Sequence, residues 1–165
     1  MKQIKSLFFL NKIDKIFDTL NFSTKRVMNL EVVLLVFTSI VNFVYLMVLF
    51  SKTPTNSFQF FLTSYPNTAV VVIVSIVNIF MAELIGINKA ELIKDKKQFK
   101  VTFIFLAIVQ FILGSVILFV ISLVTFYSSK FLQKDTEYKI SNFIRALLLL
   151  CALMYVLCCF LVMIG

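Results

Sequence analysis

No histidine and no tryptophan occur in the 165 residues. Without histidine, imidazole acid–base chemistry, His-ligated metal sites and Ser–His or Cys–His nucleophile pairs are excluded within this chain. Charge is also scarce, at 15% of residues, where a soluble domain carries about a quarter. The three cysteines, Cys151, Cys158 and Cys159, all fall in the last apolar run and none in the loops. That placement excludes an extracellular disulfide framework and makes them small buried hydrophobes. A serine in a glycine-flanked elbow and a Gly-x-Gly-Asp pattern are both missing, and Gly114-Ser115 alone does not make a hydrolase site. Asp135 and Glu137 stand among Lys134 and Lys139, a solvated face rather than a metal cage. The inventory predicts no enzyme activity, no cofactor and no metal.

Apolar residues fill the space left. They make up 61% of the chain, with a mean hydropathy of +1.00, which an ordinary soluble domain does not reach. A bilayer core takes about 20 apolar residues as a helix, and four runs qualify: 30–50, 68–87, 101–127 and 144–165. The third is longer than the core requires, which implies tilt or a helical extension. The expected fold is all-α: a polytopic four-transmembrane-helix bundle (residues 30–165) behind an N-terminal segment (1–29).

That segment is not expected to be a secretory signal peptide, because its apolar stretch Leu7–Leu10 is too short. Residues 9–20 predict an amphipathic interfacial helix. Phe9, Leu10, Ile13, Ile16, Phe17 and Leu20 share one face, and Asn11, Lys12, Asp14, Lys15, Asp18 and Thr19 the other. The same face could instead pack on the protein's own loops. The loop 51–67 carries Phe58, Phe60, Phe61 and Tyr65 between Pro54 and Pro66, rings suited to the outer interface or to a re-entrant segment covered by protein.

Net charge is +8, but the lysines cluster at the ends of apolar runs and form no basic face, so a nucleic-acid partner is not expected. Residues 88–100 alone hold five lysines. With four spans, eleven basic residues fall on one side and at most five on the other, Arg145 included near the outer edge. The positive-inside rule then places both termini in the cytoplasm, in a bacterial cell membrane.

Polar groups inside the spans are the functional candidates: Asn42, Asn78, Glu83 and Gln110. Glu83 lies four residues from the inner end of its run, about 6 Å deep. It is either functional or paired with headgroup water or Lys89. Ser39, Asn78, Gln110 and Val156 each lie nine residues in, with Asn42 and Tyr155 near that level. Ala82/Gly86, and Ala107/Gln110/Gly114, add small-residue stripes along which helices approach. The layer reads as bundle glue or as a polar pathway.

The stretch Asp18-Thr-Leu-Asn-Phe-Ser-Thr-Lys-Arg26, the span end Leu84-Ile-Gly86 and the loop element Gln98-Phe-Lys100 resemble Yip1-type multipass proteins over residues 9–125. That family has five spans and this chain four, and the resemblance implies no enzyme chemistry. The expected function is a non-enzymatic accessory, assembly or immunity-type subunit that packs against the bilayer and a membrane partner, or against its own copies. The competing expectation is a small proton-coupled transporter using Glu83 and the amide layer.

Overall fold

A computed structural model describes residues 23–53, 57, 61–62, 65–132 and 139–164. The expected amphipathic helix 9–20 lies outside the described residues. Helix α1 (Thr24–Lys52) starts where the Ser23 hydroxyl accepts the Arg26 N–H at 3.4 Å, a serine N-cap. No glycine or proline interrupts its 29 residues. Helix α2 (Pro66–Ile87) opens on proline, whose missing N–H costs nothing at a first helical position. A short α3 (Lys89–Lys94) follows, and Asp95 caps α4 (Lys96–Ile112) by accepting the Gln98 N–H at 2.9 Å.

Residues 101–127 do not form one span. Helix α4 ends at Leu113, Gly114 turns at φ +75°, and α5 (Val116–Ser128) runs back alongside α4. The Ser115 N–H reaches the Gln110 carbonyl at 2.9 Å and the Gly114 N–H the Phe111 carbonyl at 3.1 Å, closing the helix in the manner of a glycine C-cap. At 1.5 Å per residue the arms are about 25 and 20 Å long, and the second is too short to cross a core of about 30 Å. A 3₁₀ turn (Ser129–Phe131) ends the hairpin, and α6 (Asn142–Ile164) completes the described chain.

The reversal reassigns the ends of the bundle. The Thr24 hydroxyl donates to the Ser128 carbonyl at 3.2 Å, Lys96 Nζ to the Leu132 carbonyl at 2.6 Å, and the Ile140 N–H to Asp95 at 3.2 Å. The start of α1, both feet of the hairpin and the start of α6 therefore share one end. Phe50, Phe61 and Tyr65 meet at the other, edge-on and then tilted, with centroids 5.5 Å apart at each step. So the described chain begins at one end and finishes at the other, and the expectation that both termini share a side does not follow from this fold. Of the described basic residues, Lys25, Arg26, Lys89, Lys94, Lys96, Lys97, Lys100, Lys130, Lys139 and Arg145 lie at the first end; Lys52 lies at the second.

In cross-section the helices close a ring, α1–α2–α6–α4–α5 and back to α1. Leu35, Met81, Phe103, Leu106 and Tyr155 fill its centre. Polarity is arranged opposite to that of a soluble bundle. Ser39, Ser75, Asn78, Gln110, Ser122 and Thr125 are buried, while Phe37, Met47, Ile117, Leu153 and Phe160 stand exposed. Helices α1, α2 and α6 are long and apolar enough to cross a membrane. This is the profile of an integral membrane protein with three candidate spans and a hairpin in place of the expected third.

Candidate functional site

Two polar groupings occupy the interior. The first is the amide layer at mid-bundle. Asn78 of α2 accepts from two partners through its Oδ1: Gln110 Nε2 of α4 at 3.1 Å and the Tyr155 hydroxyl of α6 at 2.5 Å. Beside it, Asn42 Nδ2 of α1 donates to the Ser75 hydroxyl of α2 at 3.1 Å, and that hydroxyl donates to the Val71 carbonyl. Three of the four sequence candidates thus belong to one layer, with Tyr155 as a member. Asn78 Nδ2 is buried without an acceptor among the described residues. A cavity of about 530 Å³ reaches this layer, lined by Thr38, Asn42, Asn67, Asn78, Gln110 and Ser115. The hairpin tip forms one wall. Gly114 is therefore a turn residue rather than part of a helix-packing stripe, and Gly86 is exposed, with room for a Cβ at 3.9 Å from Val32 of α1.

The second grouping was not among the sequence candidates. Glu31, two turns into α1, is fully buried against α5, and its Oε1 accepts the Ser122 hydroxyl at 2.6 Å. The Thr125 hydroxyl, which donates to the Ile121 carbonyl at 2.9 Å, lies beside it. Glu31 Oε2 has no hydrogen-bond partner among the described residues. The Tyr155 phenol is within electrostatic reach, so the two groupings are neighbours. A carboxylate drawn at the edge of a span beginning at residue 30 reads as a rim group. The Ser23 cap, two turns earlier, is the signal that carries the helix past it.

Glu83, the remaining candidate, is in neither grouping. It is exposed on the outer side of α2, in a groove of about 820 Å³ between α2 and α6, with Phe80, Leu84, Leu147 and Met154. Arg145 is not near the end opposite Glu83, as expected from four spans; it lies at the same end and bonds Asp95, Nη2 to Oδ2 at 3.2 Å. Burial by itself raises the Asp95 carboxyl. The N–H groups of Gln98 and Ile140 and the Arg145 guanidinium outweigh it and hold the group below the ordinary aspartate value of 3.8. Among the described residues no cluster of His, Cys, Asp and Glu could hold a metal ion.

No family model, no curated protein and no solved structure matches the chain, and nothing in those comparisons bears on the Yip1-type resemblance.

Proposed function

We propose that the chain is a non-enzymatic subunit of a membrane complex, seating a transmembrane helix of another protein in the α2/α6 groove. Its lysine-rich end would face the cytoplasm. Ten described basic residues at that end against Lys52 at the other support this orientation, which puts the end of α6 outside.

The observation that carries the reading is Glu83. An exposed carboxylate sits about 6 Å inside the end of an apolar helix, in a groove walled by Phe80, Leu84, Leu147 and Met154. No ion pair satisfies it among the described residues, Glu91 adds a second negative charge, and no basic side chain lines the groove. A carboxylate turned toward lipid is costly. A partner helix with a lysine or arginine near its cytoplasmic end would neutralise it while covering the apolar walls.

A photo-crosslinking residue at Phe80 or Leu150 in living cells, with Phe37 as the lipid-facing control, tests the proposal. The expected adduct is a spanning peptide of another protein with a basic residue within a turn of its inner end. E83K should abolish it, and charge reversal on that partner should restore it. Adducts with lipid alone, or with a second copy of this chain, would overturn the reading.

A proton-coupled carrier is the second reading, favoured by the cavity that ends on Asn78 and Gln110. Its carboxylate would be Glu31, because Glu83 faces away from that cavity.

A further inference from the structure

We propose that Glu31 is a proton-binding site, loaded from the lysine-rich end of the bundle along a seam of hydroxyl groups between α1 and α5. The inference depends on neither reading of function.

Consider first what the carboxyl group would need as mere structure. Its Oε1 has one donor, Ser122, while Oε2 is buried with none among the described residues. No lysine or arginine forms an ion pair with it there. A glutamine would offer the same acceptor to Ser122 without a charge, so helix packing does not call for glutamate. An unpaired carboxylate within a spanning helix is among the costliest groups a membrane protein can hold. A proton on Oε2 removes that charge and leaves the Ser122 bond in place.

The route follows from the faces of two helices. On α5, Ser122, Thr125 and Ser128 are spaced by three and all are buried, as is Ser129. On α1, Thr24 is buried and bonds the Ser128 carbonyl. The seam thus begins at Thr24 and Ser129, beside the lysines, and ends at Glu31, about 10 Å along α1. The Thr24, Ser128 and Thr125 hydroxyls donate to the carbonyls of Ser128, Thr125 and Ile121; a hydroxyl also accepts, so turned from those carbonyls these groups would offer a proton polar steps that an aliphatic seam lacks. A buffer acid at the mouth gives up the proton, the Oε2–H bond forms, and the carboxylate becomes neutral; release reverses each step.

The neighbours leave the site uncluttered. Toward Glu31, α5 presents Ser122 and Thr125, neither ionisable in this range. Tyr155 comes from α6. The carboxylate of α2, Glu83, is exposed on the groove side, and Arg145 of α6 is engaged with Asp95.

The test uses the full chain reconstituted in phosphatidylcholine–phosphatidylglycerol vesicles and dicyclohexylcarbodiimide, an apolar reagent that adds to protonated carboxyls. Peptide mapping should find the adduct on Glu31, absent in E31Q. Its yield should fall as the pH rises. Sodium should not protect. Infrared detection of deuterium exchange at the carboxyl should slow at least tenfold in the double variant T24V/S128A, which leaves Ser122 and Thr125 untouched. No adduct at Glu31, a yield that does not change with pH, or protection by sodium would overturn the site. Unchanged exchange in the double variant would overturn the route.

Discussion

Removing the Asp95 carboxylate tests the hairpin fold more sharply than any change in the apolar core. Asp95 ties three parts of the chain: the first turn of α4 through the Gln98 N–H at 2.9 Å, the segment before α6 through the Ile140 N–H at 3.2 Å, and α6 itself through Arg145 at 3.2 Å. In D95A the lost N-cap costs about 1 kcal/mol. The Ile140 N–H, on a residue only 2% exposed, loses its acceptor at about 1–3 kcal/mol. Arg145 is 34% exposed and can turn to water, so its pair contributes no more than about 1 kcal/mol. The expected loss is about 2–5 kcal/mol. D95N keeps a good cap but brings an amide N–H₂ toward two donors, so it should lose less than D95A and more than R145Q. The pH dependence has a definite sign. The folded carboxyl titrates below its ordinary value, so its contribution is whole above about pH 4 and lost as the pH falls through the folded value. Reversible unfolding in mixed micelles, with the D95N/R145Q double-mutant cycle, reads these energies. Equal stability of D95A and the parent, or a cycle with no coupling, would refute the placement of α6 beside the α3–α4 junction.

In a variant whose native cysteines are replaced, K97C and K139C should react with an impermeant maleimide from one face of the membrane and K52C from the other; four full spans would pair K139C with K52C instead. G114A should destabilise the hairpin by about 1–2 kcal/mol through the left-handed backbone alone, because a Cβ there meets nothing within 4 Å; an unchanged midpoint in the same micelle titration would rule out the positive-φ turn. N78A strands both Gln110 Nε2 and the Tyr155 hydroxyl and should cost about 1–3 kcal/mol, whereas Y155F should cost about 0.6–2 kcal/mol. The reverse order would mean that Asn78 is not the shared acceptor.

Depth proved easier to read from the chain than direction. The amide layer is visible in sequence because Asn78, Gln110 and Tyr155 lie near the middle of their runs. Tyr155 stays at mid-depth even though α6 runs the opposite way from the expectation. The hairpin was hidden because hydropathy is blind to reversal: 101–127 is apolar throughout, whether it crosses once or turns back. Charge held the clue. Counting Lys130, Lys139 and Arg145 as outer residues weakens the positive-inside bias, and a turn at Gly114 restores it.

Facing is the other quantity that hydropathy does not supply, and it separates Glu31 from Glu83. Successive helical residues turn by about 100°. From Asn78, whose side chain points inward, Ser75, Ala82 and Gly86 lie within about 80°, but Glu83 is about 140° away. It therefore faces the outer groove and not the inner layer. On α1 the same arithmetic runs the other way. Glu31 is eleven residues from Asn42 and seven from Thr38, within about 20° of each. It therefore shares a stripe with two residues that line the inner cavity. What the wheel could not supply is the partner. Ser122 comes from a helix 91 residues further on, and it meets Glu31 because the chain turns back at Gly114 rather than continuing across.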